Sequence, residues 1–160
     1  MKKLVLRAEL TIFERLEDLP SEIIQLFNSA IDARSRAYAP YSNFPVGAAV
    51  LLDDGSMVSG NNQENASYPV GLCAERTTIH QAGSRYADPL IKALAVVGGA
   101  EGKTNSRPIA PCGVCRQAIA EYEQRQKQPI SIYFKGSDGP IYKASSIADL
   151  LPLNFDDTYL

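Results

Sequence analysis

The sequence lacks most of the features that mark nucleic-acid-binding, membrane and secreted proteins. Its 160 residues carry 16 lysines and arginines against 18 aspartates and glutamates, a formal charge of −2. Lys and Arg nowhere cluster densely enough to track a phosphate backbone, which argues against a polynucleotide partner. No apolar run approaches the roughly 20 residues of a membrane span. The opening MKKLVLRAEL starts like a secretory leader, but Arg7 and Glu9 interrupt the apolar stretch that a leader requires. Cysteine is sparse and odd in number, with three residues, and His80 is the only histidine. Without a leader the expected compartment is the reducing cytoplasm, where ligand, nucleophile or packing roles suit these cysteines better than disulfides. Repeats and low-complexity linkers are also missing, so residues 1–160 are expected to form a single domain.

What is present is an ordinary globular composition, 45% apolar and 21% charged. Leu4, Leu6, Ala8, Leu10 and Ile12 recur at every second position, predicting a strand over residues 3–12 within an N-terminal extension, 1–19. Ile23, Phe27, Ala30, Ile31 and Arg34 fall at helical spacing, predicting a helix from Ser21, as N-cap, to about Tyr38. The prolines of YAPYSNFP end it. VGAAVLL and SMVSGNN flank Asp53, Asp54 and Gly55, a hairpin signal. CAERTTIHQA predicts a helix capped by Gly83, KALAVVG a buried strand, and PCGVCRQAIAEYEQ a second helix. PISIYFK and IYK read as strands, and SSIADLL as a last helical turn. Alternating strands and helices predict a three-layer α/β/α domain around a mixed sheet of about five strands.

Cys112 and Cys115 lie three apart, so at the start of a helix their side chains share a face and one ion could bridge them. By itself CxxC is open to three readings: zinc ligand, redox dithiol, or two buried small residues. Cys73 shifts the balance, because it opens another predicted helix and Glu75 follows two residues later. Three thiolates with one open position match catalytic zinc, whereas structural zinc closes its shell with four protein ligands. His80 lies one to two turns along the helix behind Cys73, which favours a packing or surface role. Water in the open position would be acidified by zinc, and Glu75 could carry its proton. Three thiolates overcompensate a divalent ion, so the excess negative charge must be offset. Two helix N-termini and Arg76 could do this, with Arg116 a weaker second candidate.

The motifs YAPYSNFPVGAA, NNQENASYPVGLCAERT, APCGVCRQ and DLLPLNF, in this order over about residues 21–155, resemble the short cytidine deaminases. The resemblance implies the cytidine deaminase-like α/β fold and a homotetramer acting on a free nucleoside. It implies Cys73, Cys112 and Cys115 as Zn²⁺ ligands, Glu75 as general acid and base, and Arg76 as charge modulator. It further implies Asn62 and Glu64 as a ribose-binding pair, Phe44 as a wall for the pyrimidine, Ala74 beside the substrate, and Phe155 entering a neighbouring subunit's site. Read without the family, Asn62 donates and accepts while Glu64 only accepts, a combination able to grip sugar hydroxyls. The implied reaction turns cytidine or 2′-deoxycytidine into uridine or 2′-deoxyuridine and ammonia. Rival readings are a deaminase of another aminopyrimidine nucleoside, of the blasticidin S type, and a non-catalytic zinc or redox module.

Overall fold

The computed structural model describes residues 1–160. Its first long helix, α1 (Ser21–Arg34), buries Ile23, Leu26, Phe27, Ala30 and Ala33, a stripe at three- and four-residue spacing. Pro20 occupies the N-cap and its carbonyl accepts from Ile23 and Ile24 at 2.9 and 3.0 Å, so Ser21 is the first helical residue and not the cap. The helix also stops short of Tyr38. Tyr38 is drawn away instead, its N–H donating to the Asn62 carbonyl at 3.1 Å and its carbonyl accepting from Glu64 N–H at 2.9 Å.

The sheet begins with the expected hairpin of β2 (Val46–Leu52) and β3 (Met57–Asn61), joined by a turn in which Gly55 takes φ 85°. β4 (Ile91–Gly98) lies antiparallel on the other side of β2. β5 (Ser131–Gly136) runs parallel to β4, and β6 (Ile141–Ala144) antiparallel to β5. A short β1 (Leu10–Phe13) closes the order β1-β6-β5-β4-β2-β3, making six strands where about five were expected. The strand foreseen over residues 3–12 is thus confined to its last part. β6 has four residues to offer, with Leu10 opposite Ala144, and beyond Ala144 the chain turns into a short 3-10 segment at Ile147–Asp149.

Helix α1 covers one face of the sheet, packing Leu26, Phe27 and Ala30 on Ala49, Leu51, Ala95 and Val97. On the opposite face α2 (Ala74–Arg85) and α3 (Gly113–Gln126) bury Ile79, Ala82, Ile119 and Ala120 against Val50, Leu94, Val96 and Ile132. Alternate residues of β2 and β4 therefore face opposite helical layers, as the two-residue strand period requires. Gly83 does not cap α2, which continues through it to Arg85. A side chain at Gly83 would collide with the Tyr122 hydroxyl of α3, so the glycine lets the two helices approach.

Gly47 performs the same service between β2 and α1. An added Cβ there would overlap the Ala30 carbonyl oxygen and lie 2.6 Å from the Arg34 amide nitrogen, backbone atoms that cannot rotate away. Gly47→Ala should therefore destabilise the protein by about 3 kcal/mol or more, read as a lowered denaturant midpoint at unchanged m-value.

Candidate active site

Three loops meet at one end of the sheet. Gln63 exchanges backbone hydrogen bonds with Leu72, both at 2.9 Å, and forms a parallel bridge with Tyr38, so segments 38–45, 61–65 and 71–73 are held side by side. Asn62, 9% exposed, fixes this junction, its Oδ1 accepting from Val46 N–H at 2.8 Å and its Nδ2 donating to the Phe44 carbonyl at 3.1 Å. Phe44 is half-buried, with its ring edge beside Gly98 at the end of β4. The Glu64 carboxylate accepts from the N–H groups of Tyr41 and Ser42, at 2.9 and 3.2 Å, and from the Ser42 hydroxyl. The Ser42 hydroxyl, first among these donors, holds Glu64 below the ordinary carboxylate range. Tyr41, Ser42, Glu64, Asn65, Tyr68 and Gly71 line a cleft of about 250 Å³ that opens two residues before Cys73.

The cysteines come together through two helix starts. Cys73 caps α2 and Cys112 caps α3, both in extended backbone conformation and neither with a side-chain hydrogen bond to the backbone of the helix it caps; Cys115 sits in the first turn of α3. The Cys112 sulfur is 3.5 Å from Cys115 and 3.9 Å from Cys73, and all three sulfurs lie within 4.8 Å of one another. Sulfurs bound at about 2.3 Å in a tetrahedral zinc shell stand about 3.8 Å apart, so the cluster fits zinc with little movement. His80 takes no part; it is exposed, its ring 6.2 Å from that of Tyr122.

The electrostatics require a cation. In the metal-free cluster the Cys73 thiol is pulled down to about 5, chiefly by the proton of the Cys115 thiol, against the effect of its own burial and with help from Cys112 and Arg76. Cys115 is correspondingly pushed well above the ordinary thiol range, by that same shared proton and then by burial. The Cys73 thiolate thus opposes ionisation of Cys115, an opposition that a positive ion between them would relieve. Two helix N-termini, with their partial positive charge, converge on the same sulfurs. Arg76, one turn into α2, donates to the Gly71 carbonyl at 3.1 Å and adds its charge beside Cys73. Arg116, the second candidate, straps the carbonyls of Pro111 and Leu150 with its guanidinium, at 2.8 and 2.5 Å. Glu75, 5% exposed, has its carboxyl raised above the usual range, first by burial and then by the nearby Cys73 charge. Ala74, fully buried, lies between Cys73 and Glu75. Phe155 stands out on the surface, 59% exposed, its carbonyl held by the Gln117 side chain of α3 at 2.8 Å.

Three sulfur ligands, one remaining coordination position and a buried carboxyl alongside place this site among metal-dependent hydrolytic centres and apart from four-ligand structural zinc. A family model described as "Cytidine and deoxycytidylate deaminase zinc-binding region" matches residues 20–128. The chain belongs to this family. The cytidine deaminase of Sporosarcina psychrophila is 41% identical over 131 residues, 82% of this chain and 89% of that protein. That of Halalkalibacterium halodurans is 42% identical over 127 residues, covering 79% and 89%. The crystal structure of cytidine deaminase from Burkholderia pseudomallei aligns with TM-score 0.72 at 42% identity, covering 82% of this chain and 97% of that one.

Ser42, Tyr68 and Gly71 join the cleft without having been singled out in the sequence. Ser42 carried a usable signal, a small hydroxyl inside YSNF beside a loop of acceptors. Tyr68 and Gly71 are recognisable only once the chain has folded back on itself at Gln63 and Leu72.

Chelator-treated protein provides a test of the sulfur electrostatics. At pH 7 iodoacetamide should label Cys73 well ahead of Cys115, by peptide mass mapping. The Cys73 rate should hold steady above its pKa of about 5 and fall as the pH drops through it, because only the thiolate reacts. Zinc should protect both residues.

Proposed function

We propose that the chain is a zinc-dependent cytidine deaminase that hydrolyses free cytidine and 2′-deoxycytidine to uridine and 2′-deoxyuridine plus ammonia. The observation that carries this reading is the fit of three sulfurs to one zinc directly beside the buried carboxyl of Glu75. When bound by Cys73, Cys112 and Cys115, zinc supplies an acidified water as the nucleophile. Glu75 would carry a proton from the attacking water to N3 of the ring as oxygen adds at C4. It would then take the second proton from the oxygen now on C4 and pass it to the 4-amino group, which leaves as ammonia as the C4 carbonyl forms. A carboxyl whose proton affinity burial has raised suits this work, since it accepts a proton more readily than an exposed one.

The cleft supports a nucleoside as the substrate. Phe44, with its backbone braced by Asn62, offers an apolar wall for the pyrimidine, and Ala74 lies within the same turn as the proton carrier. Glu64 with Asn62 is assigned to the ribose hydroxyls. Its carboxylate, kept ionised by Ser42, disfavours a phosphorylated sugar nearby. Arg76 offsets the surplus thiolate charge. We assign the chain, residues 1–160 as one domain, to the cytoplasm, in keeping with its three free thiols. No helix is long and apolar enough to cross a membrane. The assembly is taken as a homotetramer in which Phe155 reaches a neighbouring subunit's site. Its exposure supports this, as does the exposed apolar rim of Tyr38, Tyr41, Tyr68, Val70 and Leu72 around the cleft loops.

Glu75→Gln is the direct test. The variant should keep stoichiometric zinc and lose about 10²- to 10⁴-fold in kcat for cytidine, followed by loss of ultraviolet absorbance. Wild-type turnover with the metal retained would remove Glu75 from the reaction.

A further inference from the structure

None of residues 1–8 makes a hydrogen bond within the molecule, and the only tie just before β1 is the Glu9 N–H on the Asp149 carboxylate at 3.5 Å. β1 is the terminal strand of the sheet and bonds β6 alone, so its outer edge presents free N–H and C=O groups. In an extended chain Leu4, Leu6, Leu10 and Ile12 share one face. All four are exposed, from 37% at Leu10 to 75% at Leu4. An apolar stripe along an open edge is a template for another strand.

We propose that a second copy of this chain occupies the edge, with residues 2–14 of the two copies paired antiparallel about a twofold axis at Ala8. In this register Lys2 faces the partner's Glu14, Leu4 the partner's Ile12, Leu6 the partner's Leu10 and Arg7 the partner's Glu9, and symmetry repeats every pair. Directly opposed residues of antiparallel strands lie on the same face, so leucine meets leucine or isoleucine, and Lys2, Arg7, Glu9 and Glu14 each meet an opposite charge, while Lys3 lies against the partner's Phe13. Other registers lose this match. A slip of two residues sets Arg7 against the partner's Arg7 in one direction and Glu9 against the partner's Glu9 in the other. A slip of one sets Leu6 against the partner's Glu9, or Leu10 against the partner's Arg7, and turns the apolar face onto a polar one. The favoured register also lays the partner's Leu4 and Leu6 across Ile12 and Leu10, the exposed apolar positions of β1. Two six-stranded sheets then join edge to edge. The contact lies outside the matched residues 20–128 and uses none of the sulfur cluster or its loops, so it stands independently of the deaminase reading.

Cysteine cross-linking on the zinc-loaded protein tests the register. Ala8→Cys places two sulfurs opposite each other on Cβ atoms about 5 Å apart. Mild oxidation or a short bifunctional thiol reagent should then give a species of twice the 17.4 kDa chain mass on a denaturing gel. Val5→Cys should give none, because the two Val5 positions are about 20 Å apart along the paired strands. Val5→Cys with Thr11→Cys should restore the product. Added to Ala8→Cys, Arg7→Glu should lower the yield about fivefold by opposing like charges, and Glu9→Arg on top should recover it. Absence of the Ala8→Cys product, equal cross-linking of Ala8→Cys and Val5→Cys, or indifference to Arg7→Glu would overturn the proposal.

Discussion

The crowding of three thiols within 4.8 Å is the constraint on which the site depends. Without a cation Cys73 ionises at the expense of Cys115. With one, their negative charge becomes the force that gathers two helix starts onto a single point. The rest of the architecture serves that convergence. α2 and α3 lie on the same face of the sheet, approach closely at Gly83 and Tyr122, and begin with cysteines in extended backbone conformation. Thr78 locks α2 in place, donating to the carbonyls of Ala74 and Ala48 at 2.8 and 3.3 Å and so tying the helix to β2.

The chemistry is distributed unevenly around this point. Glu75 sits inside, where removal from water raises its affinity for a proton. Glu64 sits at the rim, where three donors on the Tyr41–Ser42 loop keep it charged. Two carboxyl groups eleven positions apart thus acquire opposite tendencies from their surroundings alone, one suited to moving protons and the other to holding a polar ligand.

The layer order and the sulfur cluster were legible in the sequence because each rests on a local pattern. The helical stripe of α1, the Asp-Asp-Gly hairpin and the spacing of Cys112 and Cys115 all follow from backbone geometry over a few residues. Failures fell where a distant partner decides the outcome. The alternation of residues 3–12 is a genuine strand signal, but the length of β6 limits what it can pair with inside the chain. Gly83 reads as a stop signal, yet Tyr122 across the helix interface makes it an interior residue. Arg116, weighed as a second charge modulator, also fastens the carbonyls of Pro111 and Leu150, partners that no local pattern announces. Asn62 is a different case: its amide also bonds Phe44 and Val46, a bracing role that single-sequence reasoning did not foresee and that stands beside the proposed ribose contact.

Cys73 and Cys112 are 39 positions apart, and the stretch between them contains β4, an inner strand with neighbours on both sides. Their sulfurs stand 3.9 Å apart in a fold that holds that strand between β2 and β5. The complete three-sulfur site thus presupposes β4 in its place between β2 and β5, so metal content reports on correct sheet assembly. A newly made chain with a misplaced β4 would remain unable to hold the metal, and so would stay inert.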